Sequence, residues 1–426
     1  MTSRDMAAAA KAASRLMAAQ NGEKKNRALQ AVAEALASRA EEIFAANRED
    51  LRRAEQEGLE APAMKRLRFD QGKLDEVIAG IKSLMGLPDP VGQTLSATEL
   101  DQGLELFKVS CPIGVIGVVF ESRPDALVQI SCLCLKSGNA ALLKGGSEAM
   151  LSNRILAQCI AEAAEEAGMP KHWLQLLESR EEVGEMLRLD EYIDLIVPRG
   201  SNEFVRHIKE NSNIAVLGHA DGICHVYVDS EADLQMALDI SLDSKCQYVA
   251  VCNAAEKLLL HQDIAAGFLK MALPALEARG VELRGCEKTR ELADMKPASA
   301  EDWKTEYLDY VLAIKTVASL EEAVEHINRY GSGHTEAIVS ASIEHAEAFM
   351  AQVDAADVFW NCSTRFSDGF RFGLGAELGI STNKIHARGP VGLEGLCIYK
   401  WLLKGKGQIV ADYAEGKKKF THRKII

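Results

Sequence analysis

Ile113-Gly114-Val115-Ile116-Gly117-Val118-Val119-Phe120 is followed by a turn and a helical pattern from about Asp125, and then by Ala140-Ala141-Leu142-Leu143-Lys144. Both short runs are apolar at odd and even positions alike, the mark of strands buried on both faces. Strands of that kind joined by a helix form a βαβ unit with parallel strands. The alternation continues with a helix over Ser152 to Ala167 and strands at Leu174-Gln175-Leu176-Leu177 and Leu195-Ile196-Val197. A helix enters at Asn202, a strand follows at Ala215-Val216-Leu217, and a second alternating series runs from about Ser244 to Thr382. An α/β fold on parallel sheets is predicted.

The flanks differ. From Met6 to Gly86 the pattern is almost wholly helical, with Leu29, Val32, Ala33 and Leu36 on one stripe, until Leu87-Pro88-Asp89-Pro90 breaks it. Leu104-Glu105-Leu106-Phe107-Lys108-Val109 alternates like a half-exposed strand, and Cys397 to Val410 reads as a strand pair reaching outward.

The chain has 426 residues and a formal charge of −13, with nearly half its residues apolar. That length predicts several domains, and the acidity speaks against a nucleic-acid partner. No apolar run approaches a membrane span, and Met1 to Arg27 lacks a secretory apolar stretch, so a cytoplasmic protein is expected. The ten cysteines form no C-x-x-C and no zinc-type spacing with histidine, so reduced core thiols and no metal are expected.

Three segments have the make-up of a chemical site. In Val197-Pro198-Arg199-Gly200-Ser201-Asn202 a strand ends, a glycine turns the chain and a helix begins, an arrangement that offers free N–H groups to a phosphate. A plain βα turn has the same ingredients. In Gly138-Asn139 through Lys144-Gly145-Gly146-Ser147 a lysine ends a buried strand, where open α/β sheets bind ligands, although a lone turn lysine is commonplace. In Cys246 through Cys252-Asn253-Ala254, Cys252 stands before an expected helix start that would lower a thiol pKa. By composition alone both of these cysteines read as structural.

In order along the chain, these segments resemble the aldehyde dehydrogenase superfamily. Pro112 to Gly117 resembles its first cofactor-domain strand, Lys144 its cofactor lysine, and Gly200-Ser201 the turn beneath the nicotinamide nucleotide. Cys252 falls where the catalytic cysteine falls, and Phe359-Trp360-Asn361 with Phe372-Gly373 matches the late elements. The chain is most similar to the γ-glutamyl phosphate reductase branch, through Phe120-Glu121-Ser122-Arg123-Pro124, Gly218-His219-Ala220-Asp221-Gly222-Ile223-Cys224-His225, Gly331-Ser332-Gly333-His334-Thr335-Glu336 and His386-Ala387-Arg388-Gly389. It departs locally, with no proline shortly before Cys252 and with Glu256-Lys257 in place of Glu-Thr.

The resemblance implies a Rossmann-type cofactor domain over 1–90 and 111–245, an α/β catalytic domain over 246–385, and a small β oligomerisation element over 91–110 and 386–426. It implies NADPH-dependent reduction of L-glutamyl 5-phosphate through a thioester on Cys252, the second step of proline synthesis. Asn253 is expected to donate to the oxyanion, and Lys144, Ser147, Gly200, Ser201 and Glu306 to hold the cofactor. Arg123, His219, His334, Arg365 and Arg388 are expected to include the substrate contacts, because a phosphate and an α-carboxylate need cationic partners. Ser147, near where NAD-preferring relatives carry an acid, points to NADP. Hydrolytic relatives place a glutamate at the position of Val216, and a valine cannot activate water, so hydrolysis is excluded. A homo-oligomer (dimer or dimer-based) is expected, because Leu396, Ile398, Trp401 and Leu403 would need covering. A glutamate 5-kinase is a candidate partner. The alternatives are a dehydrogenase for another acyl phosphate or aldehyde, and a non-catalytic scaffold of the same fold.

Overall fold

The computed structural model describes residues 1–121, 123–219 and 221–426; Ser122 and Ala220, each inside a motif quoted above, lie outside the described residues. The chain forms two compact units, one of residues 1–200, 206–216 and 391–426, the other of residues 201–205 and 217–390.

The first unit opens with helices Ser3–Met17, Gly22–Ser38, Ala40–Gln56, Ala61–Leu67 and Gln71–Gly86. Thr2, Asn21 and Asp70 cap three of them by accepting from the backbone N–H three residues on. Leu29, Val32, Ala33 and Leu36 are buried as the stripe requires. Strands β1 (Thr94–Asp101) and β2 (Leu104–Pro112) make an antiparallel hairpin, and β2 also pairs with the C-terminal strand Cys397–Lys404. Strands β3 (Val115–Phe120), β4 (Ala140–Lys144), β5 (Leu174–Leu176) and β6 (Leu195–Arg199) form a parallel sheet in the order β5-β4-β3-β6. The expected strand at 215–217 is a single bridge from Val216 to Ile196. The helix Pro124–Ser137 ends at Gly138, whose φ of +73° closes it in the left-handed region that glycine occupies at least cost.

Asn139 follows at once and is fully buried. Its Oδ1 accepts from Gly114 N at 2.8 Å, and its Nδ2 donates to Ser137 Oγ and to the Leu396 carbonyl, both at 2.8 Å. One amide thus ties the entry to β3, the end of the helix and the C-terminal segment. Leu396, expected on the surface, is buried beneath this tie, whereas Ile398, Trp401 and Leu403 are exposed. Beyond residue 404 the expected second strand of the pair gives way to a short helix, Val410–Ala414.

The second unit is one parallel sheet of seven strands: β7 (Cys224–Val228), β8 (Ala255–His261), β9 (Glu282–Gly285), β10 (Lys296–Pro297), β11 (Val311–Val317), β12 (Thr335–Val339) and β13 (Asp357–Trp360). Their order is β10-β9-β11-β8-β7-β12-β13. Helices Leu234–Cys246 and Gln262–Glu277 pack one face around Phe268 and Leu276. Helices Leu320–Tyr330 and Ile343–Gln352 pack the other, around Ile327 and Phe349. This corrects the expected domain boundary at 245/246, because β7 and the helix after it are built into the second sheet. An all-apolar run such as Val226-Tyr227-Val228 announces a buried strand but not the sheet that receives it.

Replacing Asn139 by alanine orphans two buried backbone partners at 1–3 kcal/mol each, so the unfolding free energy should fall by about 2–4 kcal/mol in urea titrations. The rate at which iodoacetamide alkylates Cys252, which lies in the other unit, should not change.

Candidate active site

In the second unit the sequence-marked residues gather at the amino edge of the sheet, where β7, β8 and β12 begin. Cys252 lies in the turn between the helix Leu234–Cys246 and β8. No helix starts there, so the expected dipole assistance to its thiol is absent; Ala255–His261 is a strand instead. The turn is seated by close backbone contact. A Cβ on Gly222 would lie 2.1 Å from Cys252 O, so only glycine permits the approach. Cys224 Sγ donates to the same carbonyl at 3.2 Å.

His219, Cys252 and His334 each offer a ligand atom, and the three atoms lie within 4.8 Å of one another. His219 and His334 meet edge to face with ring centroids 4.9 Å apart. His219 Nδ1 lies 2.9 Å from the Ile380 carbonyl oxygen, which can only accept, so Nδ1 carries the proton and Nε2 of the neutral ring is the basic nitrogen. His334 is fully buried, with Nδ1 at 2.7 Å from Thr335 Oγ1 and Nε2 without a partner. Burial, helped by His219, holds its pKa well below the usual histidine value. Two imidazoles beside a thiol can take or return a proton, and among the described residues the trio could also hold a soft divalent ion. The sequence spacing could not show this, because three separate strand entries supply the ligands.

Arg365 is buried, donates from Nε to Gln247 Oε1 at 3.0 Å, and is coupled electrostatically to Cys252. It is the cation built into this edge. Arg388 pairs with Asp354 Oδ1 at 3.0 Å. Asn253 donates to Ser367 O at 2.7 Å while Thr364 Oγ1 donates to its carbonyl, and its Oδ1 has no partner. Its side chain therefore ties the 364–367 loop to the Cys252 turn. Glu306 is mostly buried, which raises its pKa; it accepts from Asn202 Nδ2 and from the backbone of Gly222. Gly222, Cys224, Gln247 and Asn202 were not singled out as site residues. Gly222 and Cys224 stood inside a quoted motif, and Asn202 at a quoted helix start.

Burial works against several of the other thiols. Burial pushes Cys132, Cys134 and Cys397 up to about 12, raises Cys224 well above the ordinary range, and raises Cys246, the other sequence candidate.

In the first unit, Lys144 ends β4 at the carboxyl edge of its sheet and donates to Gly145 O. Gly145 and Gly146 leave bare backbone there, since Cβ atoms would meet Asn153 at 2.1 Å and Glu148 at 2.0 Å. A shallow pocket beside them is lined by Ser147, Met150, Asn153 and Glu178 among others. Gly200 ends the turn after β6, and Ser201 leads into the helix Asn202–Asn211. A lysine at a strand end beside a bare glycine turn fits part of a dinucleotide. Arg123 precedes the helix Pro124–Ser137, half-exposed and 3.6 Å from Asp125.

The model of the aldehyde dehydrogenase family matches residues 2–289 and 292–377. The chain is 62% identical to a γ-glutamyl phosphate reductase of Pelotomaculum thermopropionicum, over 100% of this chain and 98% of that protein. It is 60% identical to one of Acetivibrio thermocellus, over 100% and 99%. The crystal structure of γ-glutamyl phosphate reductase from Thermotoga maritima superposes with a TM-score of 0.94 at 41% identity, covering 96% of this chain and 100% of that one. Among the described residues no helix is long and apolar enough to cross a membrane.

His326 in the second unit is buried beside His225 and has its pKa lowered from 6.5 to about 3. A folded-state value below the unfolded one means that the unfolded chain binds the extra proton. Stability is therefore full above pH 6.5 and falls as the pH drops towards 3. His326→Phe should reduce the loss of unfolding free energy between pH 7 and pH 5.5 by about 1 kcal/mol, read from urea titrations at the two pH values.

Proposed function

The chain belongs to the aldehyde dehydrogenase family, in its γ-glutamyl phosphate reductase branch, and on that premise we propose that it reduces L-glutamyl 5-phosphate to L-glutamate 5-semialdehyde and phosphate. The observation that carries the chemistry is a thiol with two imidazoles within 4.8 Å and a buried arginine in its field.

In the first step the basic nitrogen of His219 takes the Cys252 proton and the thiolate attacks the acyl carbon. The S–C bond forms, the C–O bond to phosphate breaks, and the protonated His219 returns a proton to the leaving oxygen. Arg365 is the cation of this edge for the departing phosphate or the α-carboxylate, and Arg123 and Arg388 remain further candidates. The backbone N–H of Cys252 is the donor proposed for the carbonyl oxygen. NADP(H), when bound, supplies the hydride that converts the thioester to a thiohemiacetal, and NADP rather than NAD is proposed from Ser147 and Lys144. Collapse of the thiohemiacetal releases the aldehyde and restores the Cys252 thiolate. Valine at 216 supplies no base for water, so the thioester is reserved for hydride or phosphate. Lys144, Ser147, Gly200, Ser201 and Glu306 are the residues proposed to hold the cofactor.

In the reverse direction, pyrroline-5-carboxylate, NADP and phosphate should give NADPH absorbance, and omission of phosphate should stop it. Cys252→Ala should lower turnover by at least about a thousandfold. Undiminished turnover without phosphate overturns the acyl-phosphate chemistry, and activity with another aldehyde alone assigns a different substrate.

A homo-oligomer is proposed from the strand Cys397–Lys404, which is an edge strand with Trp401 56% and Leu403 57% exposed. Trp401→Glu with Leu403→Lys should reduce the mass seen by light scattering to that of one chain. A kinase that makes the acyl phosphate is a proposed partner, since such an anhydride hydrolyses readily.

A further inference from the structure

Glu306 is the mid-point of a segment, Thr305-Glu306-Tyr307-Leu308, that belongs to no helix or strand. Its backbone is held on both sides by two neighbouring side chains of β8. Lys257 is fully buried, donates from Nζ to Thr305 O at 2.7 Å, and seats its ammonium 4.4 Å over the Tyr307 ring. Glu256 is also fully buried; its Oε1 accepts from Leu308 N at 3.1 Å, and its Oε2 accepts from Lys245 Nζ at 2.9 Å. Leu308 has φ of +53°, a left-handed conformation that costs a branched residue free energy and persists only where neighbours impose it. Tyr307 is pinned in turn by donating to Asp302 Oδ1 at 2.6 Å. The backbone is thus fixed at 305 and 308 and the side chain at 307. Residue 306 is left to present its carboxylate to Asn202 and Gly222.

We propose that Lys257, with Glu256, is a positioning residue for Glu306 and so sets how tightly the nicotinamide nucleotide is held, without acting on the acyl chemistry at Cys252. The proposal rests on the reading of Glu306 as a cofactor contact. A buried ammonium is an expensive device for packing alone, because a well-packed apolar side chain of similar volume is often neutral or stabilising. What the ammonium provides and an apolar chain does not is a donor to Thr305 O at the head of this segment.

The test uses the full-length enzyme, with NADPH fluorescence for nucleotide Kd, steady-state kinetics for kcat at saturating nucleotide, and iodoacetamide alkylation of Cys252 without nucleotide. Lys257→Met should weaken NADPH binding about tenfold, while kcat and the alkylation rate stay within about twofold. Lys257→Arg, which keeps a cationic donor, should recover part of the affinity. Lys257→Gln, with a shorter neutral donor, should fall between, and it replaces the Met variant if that variant does not fold. Glu306→Gln should weaken NADPH binding too, and the double variant should be no weaker than the worse single one, since both changes act through one contact. Unchanged Kd in Lys257→Met beside a weakened Glu306→Gln overturns the positioning role alone. Unchanged Kd in Glu306→Gln overturns the reading of Glu306. Parallel loss of affinity and of alkylation rate in Lys257→Met assigns Lys257 to the fold and overturns the proposal.

Discussion

The catalytic unit depends on one close contact, the backbone of Gly222 against the backbone of Cys252. A Cβ at 222 would have to occupy space 2.1 Å from the Cys252 carbonyl oxygen, so the approach exists only because residue 222 has no side chain. The contact fixes the entry of β7 against the entry of β8, and several other site groups are referred to one of these two entries. Cys224, two residues on, bonds the Cys252 carbonyl; Glu306 bonds the Gly222 backbone; and Ser332, ahead of β12, accepts from Ile223 N at 2.9 Å. Cys252 is thus located by backbone packing and needs no helix terminus to place it.

That placement explains which features were legible in the sequence. Local periodicity was enough for the buried strands β3 and β4, the helical N-terminal stripe and the left-handed stop at Gly138, because each is decided by residues within a few positions. Cys252 was found by its motif context, yet the helix expected after it was wrong. Leu258-Leu259-Leu260 is a short apolar run, and such a run does not distinguish a buried strand from a buried helix. The boundary between the two units, the burial of Leu396 and the grouping of His219 with His334 all depend on partners more than a hundred residues away. Leu396 is covered because Asn139 bonds its carbonyl, and no pattern near residue 396 records that. The domain limits and the site roles therefore came only from a resemblance, and the limit at 245/246 differs from the division of the two units.

The two units use opposite edges of their parallel sheets. In the first, Lys144 and the turn after Arg199 stand at the carboxyl edge, where crossover loops leave helix N-termini and bare backbone facing outward. In the second, the thiol and its histidines stand at the amino edge. A phosphate is served by the first arrangement, because dipoles and N–H groups aimed at one point suit a permanent anion. A nucleophile that must shuttle a proton is served by the second, where uncharged imidazoles replace the dipole.

The net charge of −13 makes that choice consequential. An anionic substrate and an anionic nucleotide approach a protein whose overall field repels them, so binding rests on cations whose field is local and weakly screened. Arg365 meets this condition because it is buried and its guanidinium is oriented by Gln247, so its charge acts through low-dielectric surroundings rather than through water. Burial also works against it, since desolvation and the neighbouring Arg371 disfavour the charged form, while Cys252, Asp243 and Asp368 favour it. A guanidinium tolerates such burial better than an ammonium: Lys257, buried in the same unit, has its pKa drawn down to about 8. The division of labour follows from the chemistry of the two cations. The permanent charge stands beside the thiol, where an anion must be met, and the titratable one stands behind the sheet, where only a hydrogen-bond donor is required.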